Sequence, residues 1–275
     1  MNDQSYTQNK NQLNPLTADI ESVIYTTKSQ SEIWTSCYFG GDDASRAFNL
    51  LYTLDFDGLL DSQAIEFAIQ TLINRHESLR ATFSTDGIHM SIFKQLPIAI
   101  TNLDLSNFDK KSQIEAFDHY KNVETHYVFD LASGPLFRVG LIKFSDVKHS
   151  LIINIHHIIC DGWSISIILE ELGIIYSAFV ENKTPLLPES IPFSIYANEE
   201  QLFSNSNEYK EIEKYWIELY EQSIPIVNLP TDNPRPSLRT YKSERLDFSL
   251  DSELLASIKK TGLSVGTSLI TTLLA

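Results

Sequence analysis

The sequence predicts a mixed α/β fold, an α+β sandwich in which helices flank a mixed sheet. One observation is a strand-like run, Leu50–Phe56, which stops at the turn signal Asp57-Gly58. A second is a pair of apolar runs, Leu136–Phe144 and Leu151–Ile155, parted by a short polar turn as in a β-hairpin. The third is a helical stripe of apolar residues at i, i+3, i+4 spacing: Ile65, Ala68, Ile69, Leu72 and Ile73.

Two helices precede the hairpin. Asp61 or Ser62 can cap the first, because a short polar side chain there accepts a backbone N–H from the first turn. The second opens with Ser112–Glu115, which has the pattern of a capping box, and it is expected to run to about Tyr127.

The second half of the chain is predicted to be mainly helical. Ser164 is placed to cap a long apolar helix that ends near Phe179. A strand over Leu246–Leu250 is expected before a helix that starts at Asp251 and another that starts near Thr267. Between the long apolar helix and this strand, a further helix is expected. It has four residues on one face: Tyr209, Ile212, Trp216 and Leu219.

Composition and charge exclude several classes of function. The 275 residues carry 21 basic and 36 acidic side chains, a net charge of −15, which repels nucleic-acid phosphates and anionic lipid headgroups. The two cysteines, Cys37 and Cys160, form no CxxC pair, so neither a disulfide scaffold nor a Cys-based structural zinc site is expected. We therefore expect a cytoplasmic protein with no nucleic-acid or membrane partner, no signal peptide and no membrane span.

Domain organisation follows from local composition. Residues 1–20 are rich in Asn, Gln, Ser and Thr and are expected to form a flexible lead-in or linker. Residues 21–183 are predicted to form a lobe, and residues 184–275 a proline-rich crossing segment with part of a second lobe. The final apolar helix lacks a C-cap, which suggests a partial domain.

One motif combines residues able to perform acid–base chemistry. His156 and His157 end an apolar strand, and Asp161 and Gly162 follow. Because side chains alternate along a strand, only one of the two histidines can face a given cleft. One imidazole is therefore a candidate base, Asp161 its positioning neighbour, and Gly162 a place for close approach of a ligand.

Two other interpretations stay open from the residues alone. The histidine pair could be a hydrogen-bonded core element without catalytic function. Alternatively, His156, His157, Cys160 and Asp161 could ligate a metal, since imidazole, thiolate and carboxylate all bind zinc. Adjacent strand histidines diverge, however, and no second set of ligands completes such a site, so no metal is expected.

The motif HHxxxDG after an apolar strand resembles the signature of condensation domains of nonribosomal peptide synthetases, which share the chloramphenicol acetyltransferase fold. Ser29–Trp34 resembles the opening motif SxAQxxxW, with Ser31 in place of the usual Ala. Further similarities come in the family's order: Arg75–Phe83 to RHExLRTxF, Phe129–Arg138 to the segment before the histidine motif, and Leu229–Pro236 to the crossing segment after it.

The resemblance implies roles for individual residues. His157, the second histidine, would be catalytic: it would position or deprotonate the attacking amine. His156 would be structural, and Asp161 would hold the loop through an ion pair with an arginine of the earlier motif. Arg75 is the expected partner of Asp161, with Arg80 as the second choice.

The resemblance also implies substrates and partners. Gly162 would leave room for a pantetheine arm, and Trp163 and Ser164 are candidates for the substrate tunnel. The partners would be donor and acceptor carrier proteins bearing 4'-phosphopantetheine, beside adenylation or polyketide synthase domains, with no prosthetic group in the domain itself. Gly40–Asn49 looks like condensation domains that follow polyketide modules.

The implied function is amide-bond formation between a carrier-bound acyl or peptidyl thioester and a carrier-bound aminoacyl group. Two alternatives remain. One is a truncated docking module of a synthetase without catalysis, and the other is a stand-alone acyltransferase that uses coenzyme A or a carrier protein.

Overall fold

The computed structural model describes residues 19–226, 228, 230–234, 236–237, 240–241 and 248–275. The chain divides into two compact units, residues 1–241 and 242–275. The histidine motif lies in the first unit.

Seven strands lie in the described part of the first unit: β1 Ile20–Tyr25, β2 Asn49–Asp57, β3 Ala81–Phe83, β4 His89–Phe93, β5 Ile100–Asp104, β6 Phe137–Ser145 and β7 Lys148–His156. The helices in chain order are α1 Lys28–Ala47, α2 Ser62–Arg75, α3 Lys110–Thr125, α4 Gly162–Val180, α5 Phe193–Ser204, α6 Asn207–Tyr220, α7 Ser252–Ser264 and α8 Leu269–Leu274. A short 3-10 helix, Glu77–Arg80, joins α2 to β3.

The strands form two sheets. The larger has the order β2-β7-β6-β5, and the smaller has the order β1-β4-β3. In the larger sheet β5 and β6 run parallel and the other neighbours antiparallel, so the predicted mixed sheet and the predicted β6–β7 hairpin are confirmed.

Both faces of the larger sheet are covered by helices. Ile153 and Ile155 of β7 pack in one core with the apolar stripes of α2 and α4. Ile152, one residue out of phase, packs on the other side with Phe117 and Tyr120 of α3. This is the alternation of a strand buried on two faces, where each fully buried large aliphatic side chain contributes about 1.5–3 kcal/mol.

Three helix starts test the capping predictions. Asp61 caps α2 as expected, since its carboxylate accepts the N–H groups of the first turn. The predicted caps Ser112 and Ser164 are wrong. The caps are Asp109 and Asp161, and each serine instead donates its N–H to the aspartate three residues earlier. An ionised carboxylate at the positive end of a helix is the stronger acceptor.

The predictions for the two ends of the chain fall partly outside the described residues. A flexible lead-in was expected over residues 1–20. Of these, residues 1–18 lie outside the described residues, and Ile20 begins β1. Of the strand expected over residues 246–250, the first two lie outside the described residues and the last three are not in a strand. The helices expected from Asp251 and from about Thr267 are α7 and α8.

Helix α4 is long and apolar enough, by length and composition, to cross a membrane. Its face with Ile165, Ile168, Leu172 and Ile175 instead belongs to the protein core. Glu171 is also buried on this helix, and its carboxylate contacts Arg75 of α2 and His76, the residue that follows α2. Core packing thus accounts for the apolar residues on this face of α4.

Candidate active site

The histidine motif forms the connection between β7 and α4. β7 ends at His156, residues 157–161 form the turn, and Gly162 begins α4. His156 is still paired in the sheet with Asn49 of β2. His157 has left the ladder but donates its backbone N–H to the carbonyl of Phe48 at 2.8 Å. The motif therefore stands at the end of a strand in the centre of the sheet.

His156 is enclosed by the protein, with no exposed surface. Its Nδ1 accepts the backbone N–H of Ile158 at 3.2 Å, so the proton of the neutral ring resides on Nε2. That nitrogen lies 3.9 Å from Cys37 Sγ. Burial, together with the neighbouring His157, lowers the pKa of His156 to about 4. His156 is therefore enclosed and neutral near pH 7.

His157 is half-buried, and its ring is nearly perpendicular to the ring of Phe48, with centroids 6.4 Å apart. It is therefore the histidine of the pair with access to solvent. A group outside the fold can therefore reach this imidazole.

Asp161 is exposed and binds to its own helix. Its Oδ1 accepts the N–H of Ser164 at 2.8 Å and the hydroxyl of Ser164 at 2.6 Å. Both hydrogen bonds lower the pKa of Asp161, and the one from the Ser164 hydroxyl contributes most. The carboxylate is the N-cap of α4 and keeps the end of the turn in place.

The expected ion pair between Arg75 and Asp161 is wrong. Arg75 Nε donates to both carboxylate oxygens of Glu171 at 3.1 Å, and its guanidinium also reaches the carbonyl of Pro188. His76 Nε2 lies 2.7 Å from the same carboxylate. Glu171 is on the buried side of α4, more than two turns from Asp161, so α2 packing against α4 brings Arg75 to it instead.

Arg80, the second choice, does not meet Asp161 either. Its guanidinium is buried and binds Glu21 and the carbonyl of Phe93, which ties the 3-10 helix to the smaller sheet. Both arginines of this motif therefore support the fold at a distance from the histidine turn.

Gly162 and Trp163 are open to solvent. A Cβ at Gly162 would meet no atom within 4 Å. Trp163 is 80% exposed, and Ser164 is occupied by its contact with Asp161. Neither packing nor a positive φ requires a glycine at position 162 in this structure.

Behind the motif lies a buried polar network that was not predicted from the sequence. Glu124 of α3 is 2% exposed and receives two hydrogen bonds from Arg138 at 2.8 and 2.9 Å. Asn154, two residues before His156, donates to the carbonyl of Glu124 at 2.7 Å. The Arg138 guanidinium stacks 4.0 Å from the centre of the Tyr127 ring. The only available signal was Arg138, the last residue of the segment that resembles the family.

The predicted alignment of the opening motif, with Ser29 at its first position, is wrong by two residues. In SxAQxxxW the Gln stands four residues before the Trp, so Gln30 and Trp34 match and Thr27 takes the first position, not Ser29. The structure agrees with this register. Thr27 is the N-cap of α1 and Gln30 completes a capping box with it. Gln30 also donates to the carbonyl of Ile158, inside the histidine turn, at 3.2 Å.

The stretch Gly40–Asn49 spans the second half of α1 and the start of β2. A bend at Gly41, where φ is 60°, divides α1 into two helical pieces. Such a φ favours glycine. After the bend, Ala44 and Ser45 are buried.

The metal interpretation gains no support from the described residues. Among them, no three His, Cys, Asp or Glu side chains are grouped to hold an ion. Burial raises the pKa of Cys160 to about 12 and that of Cys37 to about 11.

Comparison with known proteins identifies the family. A family model described as "Condensation domain" matches residues 20–275. The chain is 36% identical over 237 residues to tyrocidine synthase 2 of Brevibacillus parabrevis, covering 85% of this chain and 6% of that protein. It is 31% identical over 251 residues to malpinin synthetase of Mortierella alpina, covering 90% of this chain and 3% of that protein.

Solved structures share the fold. The starter condensation domain of rhizomide synthetase RzmA matches with a TM-score of 0.66 and 22% identity, over 72% of this chain and 48% of that one. The X-domain complex with OxyB from teicoplanin biosynthesis matches with a TM-score of 0.72 and 23% identity, over 89% and 53%.

The chain therefore belongs to the condensation domain family, and the predicted family and fold class are confirmed. It spans less than a tenth of the length of these curated relatives and about half of these solved chains.

Proposed function

We propose that this chain carries the histidine site of a condensation domain in nonribosomal peptide synthesis. The reaction joins a carrier-bound acyl or peptidyl thioester to the amine of a carrier-bound aminoacyl group. The observation that carries the proposal is the contrast within the motif: His156 is enclosed and neutral, whereas His157 stands half-open at the strand end.

The chemistry needs little more than a placed imidazole. The amine nitrogen attacks the thioester carbonyl carbon, the C–N bond forms, the C–S bond breaks, and the pantetheine thiol leaves with the proton that the amine gives up. His157 either takes that proton as general base, or holds the amine and stabilises the tetrahedral intermediate. Both roles require the half-open histidine and not the enclosed one.

The neighbouring residues have supporting roles in this proposal. Asp161 holds the start of α4, where Gly162 leaves open space for a pantetheine arm and Trp163 and Ser164 line the approach. Arg75 and Arg80 support the lobe through Glu171 and Glu21. His156 shapes the turn.

The partners and organisation follow from the family. Donor and acceptor carrier proteins supply the 4'-phosphopantetheine arms, and adenylation or polyketide synthase domains lie beside the domain, which itself needs no cofactor. Residues 21–183 form the first lobe, and residues 184–275 the crossing segment with part of the second. Two free cysteines fit a reducing compartment, so we place the protein in the cytoplasm.

A docking module without catalysis is the second candidate. The observation in its favour is the fold neighbour that forms a complex with OxyB, because that X-domain has a protein as its partner. In that case His157 would serve only the fold, and carrier proteins would bind without reacting.

The test is an intact-mass assay of the acceptor carrier protein, loaded with an amino acid and mixed with this chain and a charged donor carrier. We expect a mass gain equal to the acyl group, lost in His157→Ala and kept in the exposed control His119→Ala. A gain unchanged in His157→Ala removes that residue from catalysis. Binding of the carriers without any gain supports the docking module, and transfer from a coenzyme A thioester alone supports the stand-alone acyltransferase.

A further inference from the structure

Hydrogen bonds hold the backbone of the histidine turn, residues 157–161, at several positions. The N–H of His157 binds the carbonyl of Phe48, and the carbonyl of His157 accepts the N–H of Cys160 at 3.4 Å. The N–H of Ile158 binds His156 Nδ1. The carbonyl of Ile158 is also buried, and its partner is the side-chain amide of Gln30 at 3.2 Å. Ile158 itself is 3% exposed, so this carbonyl is shielded from bulk solvent.

The orientation of the Gln30 amide is fixed from the other side. Its Oε1 accepts the backbone N–H of Thr27 at 3.1 Å, which is the second half of the α1 capping box. With the oxygen committed to Thr27, the NH2 group must point at the carbonyl of Ile158, with Met90 Sδ at 3.5 Å as its other neighbour. Gln30 is only 6% exposed.

We propose that Gln30 is a positioning residue for His157: it fastens the turn that presents the imidazole to the first turn of α1. The expected effect on acyl transfer rests on the proposed function, whereas the effect on the position of the His157 imidazole does not. Loss of the amide donor leaves a buried carbonyl unpaired one residue from His157. The turn then shifts to satisfy that carbonyl, and the imidazole shifts with it.

Two substitutions separate the roles of Gln30 as helix cap and as fastening of the turn. Gln30→Glu keeps an acceptor for the N–H of Thr27 at the positive end of α1, but has no donor for the carbonyl of Ile158. Thr27→Val does the reverse, since it removes the cap oxygen and leaves the contact between Gln30 and Ile158 in place. Should the buried carboxylate prevent folding, Gln30→Met removes the donor without adding charge; it also removes the acceptor for the N–H of Thr27, so it is read against Thr27→Val.

The first measurement is the side-chain NMR spectrum of His157, assigned by its loss in His157→Gln, on the chain without substrate. We expect the His157 resonances to move in Gln30→Glu or Gln30→Met and to stay in Thr27→Val. Unmoved resonances in the Gln30 variants overturn the inference, whatever the activity.

The second measurement is acyl transfer by the same variants. We expect kcat to fall at least tenfold in the Gln30 variants with KM unchanged, and to hold in Thr27→Val. Equal losses in all three variants would show that Gln30 is only a helix cap. If the unsubstituted chain transfers nothing, the proposed function fails, while the NMR result still decides the position of His157.

Discussion

The two sides of the histidine motif differ sharply although they begin with identical, adjacent residues. On the closed side, His156 and Asn154 face a buried network in which Glu124 is held by Arg138. On the open side, His157 precedes an exposed stretch that begins with Asp161, which has hydrogen bonds to its own helix. The closed side can therefore stabilise the fold, while the open side keeps a group free for chemistry.

The difference has a simple physical origin. β7 ends at His156, so His157 lies in the turn and not within the sheet. His156 is covered by α1 and by two aromatic rings, and burial lowers its pKa, whereas His157 is half-buried beside Phe48. A fully buried and a partly accessible imidazole therefore stand side by side within one short motif.

The largest expected effect is on the closed side. Arg138→Ala leaves Glu124 as a buried carboxylate without its ion-pair partner, and we expect a loss of about 3–5 kcal/mol in the free energy of unfolding. Urea unfolding followed by circular dichroism measures it. The control is Lys111→Ala, which breaks an exposed pair with Glu115 and is expected to cost less than about 1 kcal/mol. Equal losses in the two variants would refute the comparison.

A smaller effect on the same side depends on pH. The folded pKa of His156 is about 4, below the unfolded value near 6.5, so the unfolded chain binds the proton first. The stability contribution is complete above about pH 6.5 and is lost as the pH falls toward 4. Between pH 7 and pH 5 the loss from His156 is about 2 kcal/mol.

The measurement for His156 is urea unfolding at both pH values in matched variants. We expect His156→Gln to reduce the loss between pH 7 and pH 5 by about 2 kcal/mol, and the exposed control His119→Gln to leave it unchanged. If His156→Gln does not fold, an NMR titration of His156 in the unsubstituted chain decides instead. A His156 ring that titrates near pH 6.5 would contradict its enclosed position.

The closed side also shows where sequence reasoning succeeds. The stripe of α2 and the alternation along β7 were predictable, because a period of 3.6 or 2 survives in the order of the residues. This alternation ends with β7 at His156, so it did not predict how exposed His157 is. The capped start of α2 at Asp61 is likewise a local property.

The contacts that the sequence could not supply are long-range. Arg75 and Glu171 are 96 residues apart, and nothing in their spacing distinguishes Glu171 from Asp161 as the partner. Only the packing of α2 against α4 selects it. Glu124 carries no signal, because most glutamates on a helix are exposed. Gln30 lies 128 residues from Ile158, and its resemblance to a family motif did not reveal what it binds.

The smallest expected effect is on the open side, and it sharpens the correction about Asp161. If Asp161 is only an N-cap, Asp161→Ala costs about 1 kcal/mol of unfolding free energy, like Asp109→Ala at the start of α3. Trp163→Ala is expected to stay within about 0.5 kcal/mol, because that ring is largely in solvent. Urea unfolding at pH 7 compares all three. A loss of about 3–5 kcal/mol in Asp161→Ala alone would indicate a buried ion pair, and would return Asp161 to the closed side of the motif.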